Sequence, residues 1–377
     1  MYVVFNGWFW DQPNTGSGQY LRHLLHYLRR IAPDLKLTLV LPGLNSADDV
    51  PPNVEVMRAG GSRSNLGKVW FEQRTFPQLA GRSGADIAHV PYWGPPLSSP
   101  IPLITSVLDV IPLALPEYSS GFRGRLYTSL VSAAARGSTQ VITISNAAKA
   151  DIVKYLGLPE ESITTTYLAA DEAYHPRMGA ERDAAVREKY NLPDQFVLYL
   201  SGFDPRKRLA DALLAYTYVG PVHGGELPLV IGGREPAWGT PMFPDMHEYA
   251  EKLQITDYIR WIGYVDDADK PSLYRLADVF VTPTIYEGFG LPLLEAMASG
   301  TPVVARNIPV NEEIAGDAAY LVEDARTMGG AIIALLLQEP LRESQISRGL
   351  AQATKFSWRK TARETLAVYE QVMNAKV

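Results

Sequence analysis

The sequence predicts an α/β protein made of two doubly wound units in tandem. The chain has 377 residues, 46% of them hydrophobic, which is too long for one ordinary core and suits two units, each able to bury a sizeable interior. Short apolar runs of strand length alternate with amphipathic helical stretches, the pattern of a parallel sheet covered by helices. The alternation breaks once, at 176–191, a polar stretch rich in Arg, Glu and Ala. A second series of strands follows it, so the domain boundary is drawn there, giving units 1–180 and 181–357. Two units create a cleft, and clefts bind ligands.

The first strands are expected at 2–5, 37–41, 87–90, 104–108 and 140–144. A helix at 18–31 lines Tyr20, Leu21, Leu24, Leu25 and Leu28 along one face, and another is read at 146–156,. The second series runs through 196–201, 227–232, 259–263, 279–282, 302–305 and 319–322. Two tandem doubly wound units are the economical reading. The end of the chain reads as a helix over 358–377, with Ser357 as N-cap and Trp358, Leu366, Tyr369 and Val372 as packing positions,.

Composition narrows the chemistry. Lys and Arg total 35 against 41 Asp and Glu, a net charge of −6, which offers no general attraction to nucleic acid or anionic lipid. Any anion must be held locally. The absence of cysteine removes disulfides, thiolate nucleophiles and thiolate metal sites together. Residues 1–14 carry no basic and apolar leader, and no run approaches the ~18 apolar residues of a membrane span. The expectation is a soluble, cytoplasmic protein, attached to a membrane at most peripherally.

The most informative stretch is 282–300, TPTIYEGFGLPLLEAMASG. It reads as strand, glycine loop, helix. Pro292 suits a first helical turn because its missing N–H has no partner there anyway, and Gly300 suits the stop,. A glycine loop entering a helix offers free backbone N–H groups and the positive end of the dipole, which bind phosphate without a basic side chain. Gly288 and Gly290 permit the close approach,. Glu287 and Glu295 flank the loop; a carboxylate beside phosphates is tolerated only if hydroxyl donors occupy it, and sugar and ribose supply them. Taken alone, two solvated glutamates and a plain tight turn explain the stretch as well. A second phosphate candidate, Ser201-Gly202-Phe203-Asp204-Pro205-Arg206-Lys207-Arg208, follows the first strand of the same unit. Open sheets bind ligands at such ends, and Arg206 and Lys207 can neutralise a diphosphate. An ordinary basic loop is the alternative.

The spacing from Glu287 to Glu295 resembles the signature of the retaining family 4 glycosyltransferases, also called group 1. The likeness extends through 261–265, Leu273-Tyr274 and 316–319 to Phe356-Ser357-Trp358 and the last helix, and in the first half to 141–145 and Gly16-Ser17-Gly18, which looks like the family's glycine loop. The resemblance implies the GT-B fold, two Rossmann-like domains facing across a cleft, with the final helix packing back on the first. It implies a nucleotide-sugar donor (UDP, GDP or dTDP) on the second domain and a saccharide or lipid-linked acceptor on the first. Glu295 then binds the ribose diol, and Glu287 with the backbone of Gly288, Phe289, Gly290 and Leu291 holds sugar and phosphates. Arg206 and Lys207 grip the diphosphate beside Gly202, the backbone near Tyr264 meets the base, and Gly16 and Gly18 line the donor. No metal and no cofactor are expected, because positive charge on the phosphates is what a departing nucleoside diphosphate needs.

Two positions depart from the family pattern. A His-Asp pair is usual after a first-domain strand; here it is Leu108-Asp109, which leaves Asp109 as the catalytic candidate. Leu108 cannot hydrogen-bond a hydroxyl, so either the donor sugar lacks the 6-hydroxyl or another residue substitutes. Gly202 stands where many members carry Arg, with Arg206 as the replacement.

Other signals are discounted. Leu21 occupies the third glycine position of a dinucleotide fingerprint,. Asp267-Ala268-Asp269 precedes Pro271 and reads as N-cap,. His23 and His26 have no third ligand,, and Trp8, Phe9, Trp10, Tyr92 and Trp93 either stack on an acceptor or pack the core. The rival classes are a GT-B epimerase, which interconverts nucleotide sugars with no acceptor present, and a bilobal binding protein, which shows no turnover.

Overall fold

The central strands of each sheet are buried over nearly their full length because helices cover both faces, which is why they read as largely apolar runs,. The computed structural model describes residues 1–43, 46–61, 64–119 and 121–375. The chain divides into a unit of Met1–Leu168 with Ser357–Val377 and a unit of Ala169–Phe356.

The first unit carries β1 (Tyr2–Asn6), β2 (Lys36–Pro42), β3 (Val54–Ala59), β4 (Ile87–Val90), β5 (Leu103–Ser106), β6 (Gln140–Thr143) and β7 (Ile163–Thr165). They form a parallel sheet in the order β3-β2-β1-β4-β5-β6-β7. Its helices are α1 (Gly16–Ile31), α2 (Asn65–Trp70), α3 (Phe76–Arg82), α4 (Ile111–Ala114), α5 (Phe122–Ala135) and α6 (Asn146–Leu156), with a π turn at Phe71–Thr75 joining α2 to α3. Strands β3 and β7 escaped the sequence reading. Both are sheet edges: β3 is largely solvent-facing and β7 has three residues.

The apolar face read for α1 is buried at Tyr20, Leu21, Leu24, Leu25 and Leu28, and Thr15 caps the helix by accepting from the Gly18 N–H at 3.1 Å. The glycines of this loop differ. A Cβ on Gly18 would lie 2.0 Å from the Gln12 carbonyl oxygen, whereas one on Gly16 meets nothing within 4 Å. Gly18→Ala is therefore expected to cost about 1–3 kcal/mol and lower the melting temperature by several degrees, while Gly16→Ala leaves it unchanged. Equal melting curves for the two variants would contradict this packing.

The second unit carries β8 (Val197–Leu200), β9 (Leu229–Gly232), β10 (Ile259–Gly263), β11 (Val279–Thr282), β12 (Val303–Arg306) and β13 (Tyr320–Val322), parallel in the order β10-β9-β8-β11-β12-β13. Around it lie α7 (Asp183–Lys189), α8 (Leu209–His223), α9 (Met246–Lys252), α10 (Lys270–Leu276), α11 (Leu291–Ala298), α12 (Pro309–Ala315), α13 (Ala325–Leu337) and α14 (Glu339–Ala353). The strand order of a doubly wound fold recurs in both sheets.

The last helix, α15 (Trp358–Asn374), belongs to the first unit and packs on α1. Residues 376 and 377, included in the expected helix, lie outside the described residues. Ser357 caps it by accepting from the Lys360 N–H at 3.2 Å; Trp358, Tyr369 and Val372 are buried, and Leu366 is half-buried. The His23 ring stacks on Trp358 with centroids 4.5 Å apart, which gives that histidine a packing partner. Tyr369 also meets His89 Nδ1 at 2.6 Å, and Ser106 joins His89 Nε2 (2.8 Å) to the Tyr20 hydroxyl (2.9 Å). Burial holds His89 down to about 3, so this buried chain is neutral.

The boundary drawn at residue 180 is displaced, since the second unit begins at Ala169. The polar stretch in which the boundary was drawn is pinned to α10. Arg275 donates to the His175 and Gly179 carbonyls at 3.2 and 3.1 Å and pairs with Asp183 at 2.6 Å. Arg182 and Lys189 pair with Asp269 at 2.9 and 2.6 Å. Asp269 does occupy the N-cap position of α10, yet its side chain makes no capping bond because these cations and Tyr190 take it. Among the described residues no helix is long and apolar enough to cross a membrane.

Candidate active site

The second sheet reverses its strand order between β8 and β11, and the crevice beyond the carboxyl ends of such strands is where open parallel sheets take ligands. Two loops meet there. Ile285 N–H donates to the Arg206 carbonyl at 2.9 Å, and Arg206 Nη1 donates to the Tyr286 carbonyl at 3.1 Å. From β8, the Tyr199 hydroxyl steadies the first loop by donating to the Gly202 carbonyl at 3.1 Å.

Glu287 lies between the cations. Its Oε2 is 2.9 Å from Arg206 Nη1, its Oε1 accepts from Lys207 Nζ, and Arg206 Nε is 3.1 Å from Asp204 Oδ1. Burial alone would raise the Glu287 carboxyl, but Lys207 and then Arg206 outweigh it and hold the group below the usual range,. Two cations and two carboxylates are thus fixed in one partly buried cluster before any ligand arrives. Preorganised charge of this kind needs no rearranging solvent when an anion enters.

The glycine loop leads into α11 as its sequence suggested, with the helix starting at Leu291. Gly290 adopts φ +90°, which L side chains avoid, and Pro292 sits in the first turn,. The N-cap residue, Gly290, has no side chain to cap this N-terminus, and the positive end of the helix dipole faces the loop. Phe289 is buried against Phe356.

Further along α11, Glu295 accepts from the Tyr274 hydroxyl at 3.2 Å and is hydrogen-bonded by Tyr174. Burial lifts this carboxyl to about 7 against the opposing effect of Lys270. Tyr264, just beyond β10, is 41% exposed, with the Arg234 guanidinium 4.9 Å above its ring.

The structure therefore gathers Gly202, Arg206, Lys207, Glu287, Gly288, Phe289, Gly290 and Leu291 at one switch point, with Glu295 on the same helix and Tyr264 two strands away. A side chain on Gly202 would meet only Asp204 Oδ2 at 3.4 Å, so packing does not demand glycine there. Gly16, Gly18 and Asp109 lie in the other unit. Asp109 Oδ1 accepts from the Ile111 N–H at 3.1 Å at the start of α4, beside half-buried Leu108. Asp204, Tyr174 and Tyr274 were missed as partners. Only Tyr274 carried a signal, because the resemblance ran through Leu273-Tyr274.

The family profile described as "Glycosyl transferases group 1" matches residues 182–352, and that of "Glycosyltransferase Family 4" matches 14–174. The O-antigen chain mannosyltransferase B of Escherichia coli is 31% identical over 375 residues, covering 95% of this chain and 96% of that protein. The chain belongs to the group 1, family 4 glycosyltransferases. Among solved structures, sucrose-phosphate synthase from Thermosynechococcus elongatus superposes over 100% of both chains with a TM-score of 0.75 at 19% identity. Anabaena HepE in complex with UDP and glucose covers 98% of this chain and 99% of that one with a TM-score of 0.73 at 16% identity. The fold of this glycosyltransferase is thus GT-B, and the switch-point cluster lies inside the region matched by the group 1 profile.

Proposed function

We propose that this glycosyltransferase moves a mannosyl group from a nucleoside-diphosphate mannose to a hydroxyl of a saccharide or lipid-linked saccharide, with retention and without a metal ion. The observation that carries the reading is the Arg206–Lys207–Glu287 cluster beside the glycine loop that leads into α11. The mannosyl assignment rests on the similarity to O-antigen chain mannosyltransferase B. In the reaction the bond from the anomeric carbon to the diphosphate oxygen breaks, and the electron pair stays with the diphosphate. Arg206 and Lys207, held in place by Glu287, stabilise that developing charge, and Glu287 also accepts hydroxyls of the sugar. The acceptor oxygen attacks from the same face and passes its proton to the departing phosphate oxygen, so no protein nucleophile is needed.

The test is turnover of UDP-, GDP- and dTDP-linked mannose with octyl α-mannoside as acceptor, in EDTA, with the product anomer assigned by NMR. An α-linked product from an α-linked donor, formed in the presence of EDTA, is expected. A β-linked product, or a need for added divalent metal, would overturn the mechanism.

Leu108 bears on the donor through the family pattern alone, in which this position carries the His of the His-Asp pair. A site that hydrogen-bonds a hydroxyl rejects the analogue lacking it by about 10⁴–10⁵, whereas an apolar contact discriminates far less. The 6-deoxymannosyl donor is therefore expected within about tenfold of the mannosyl donor in kcat/KM, in keeping with an apolar contact. A preference for mannose near 10⁴ would show that a polar side chain meets the 6-hydroxyl in place of Leu108.

A further inference from the structure

The first sheet has its own switch point, between β1 and β4, and it holds a charged pair that the donor chemistry does not use. Glu72 lies on the π turn Phe71–Thr75 and is 0% exposed. Both its oxygens accept from the Tyr127 hydroxyl at 3.1 Å, and Lys68 Nζ stands 3.6 Å from Oε1. A Cβ on Gly94 would come within 2.6 Å of Oε1, so a glycine in the loop after β4 admits this carboxylate. The Lys68 ammonium is ringed by Phe9 after β1, Tyr92 after β4 and Tyr127 on α5, with centroids at 5.1, 5.4 and 5.1 Å. The side chain keeps 23% exposure.

Burying a carboxylate in this way is costly, and a surface lysine could reach water without it. π turns recur at functional sites, and this one places a fixed cation among aromatic rings at the strand ends where open sheets bind ligands. Its ligand class follows from charge balance. Burial raises the Glu72 carboxyl to about 7 against the pull of Lys68, so above that pH it matches Lys68 and a further anion gains little, while a neutral polyol can accept from the ammonium and lay its C–H surface on the rings. We propose that Lys68, held by Glu72 and caged by Phe9, Tyr92 and Tyr127, binds the neutral hexopyranose that receives the transferred sugar. Naming that ligand as the acceptor rests on the transferase reading above; the hexose site itself does not.

The test is saturation-transfer NMR at pH 8 with methyl α-mannoside and methyl α-glucoside, the protein being saturated with whichever of UDP, GDP or dTDP raises its melting temperature most. Wild type is expected to transfer saturation to at least one hexoside. Lys68→Met, which keeps the aliphatic stem, is expected to lose most of that signal while retaining the nucleotide-induced shift. Should Lys68→Met fail to fold, Lys68→Arg serves, with a weaker signal or a changed preference between the hexosides expected. No transfer from wild type, or transfer from the variant equal to wild type, would overturn the proposal. Hexoside binding that depends on Lys68 in a protein without donor turnover would instead sink the transferase reading alone.

Discussion

Lys207→Ala is expected to lower kcat by about 10²–10³, the loss that follows removal of one preorganised electrostatic contact to developing charge. Lys207 is nearly buried and bonded to Glu287, so the variant also leaves Glu287 with Arg206 as its remaining cation of the pair. The charge on the diphosphate grows as the glycosidic bond breaks, and an interaction strongest at that point reduces kcat more than donor affinity. Initial rates with saturating nucleotide sugar, set beside donor dissociation constants from calorimetry, separate the two quantities. A kcat within threefold of wild type, in a variant that still melts cooperatively, would remove Lys207 from the account of catalysis.

The second large effect is a pH dependence of donor binding set by Glu295. In the free protein burial raises this carboxyl to about 7, yet a ribose diol needs the ionised form as its acceptor. Affinity for a nucleotide sugar should therefore climb as pH rises to 7 and level off above it. One unit below that value roughly a tenth of the molecules are ionised, so binding at pH 6 is about tenfold weaker than at pH 8. A nucleotide sugar is the proper probe because its esterified phosphates do not titrate in this range. Glu295→Gln should flatten the profile. Stability shifts the other way: a carboxyl raised on folding costs stability progressively as pH climbs from its unfolded value near 4.5 through about 7,. Glu295→Gln should thus melt higher than wild type at pH 8 and no differently at pH 4. An affinity profile that is level from pH 6 to pH 8 in wild type would contradict this role for Glu295.

Much of the fold was legible because central parallel strands covered on both faces are continuous apolar runs, as 197–200 and 229–232 are. Strand β3 was not, because Val54, Glu55, Val56, Met57 and Arg58 lie on an edge and mix apolar with polar residues. The 176–191 stretch was misplaced for a related reason. Composition reports charge but not its partners, and only the fold shows Arg275 and Asp269 collecting that stretch onto α10.

The glycine loop and helix start were readable locally, through Gly290, Pro292 and Gly300. Pairings across distant sequence were not. Arg206 and Lys207 were read as phosphate ligands and Glu287 as a sugar ligand, whereas in the free protein they bind one another across two loops. Lys68 and Glu72 look in the sequence like an ordinary pair on a helix surface. Their meaning depends on a buried π turn and three rings drawn from elsewhere in the first unit.

The central claim is that the switch point of the second sheet holds a nucleoside diphosphate with backbone, Arg206 and Lys207, and no metal. The most direct measurement is thermal melting of wild type and Lys207→Ala with UDP, GDP, dTDP, ADP and NAD, each with and without EDTA. A ligand at ~100 times its dissociation constant stabilises the native state by about 2.7 kcal/mol, a shift of several degrees. One nucleoside diphosphate should stabilise wild type equally with and without EDTA, and stabilise Lys207→Ala much less. Stabilisation by NAD alone, or a shift that disappears in EDTA, would contradict it.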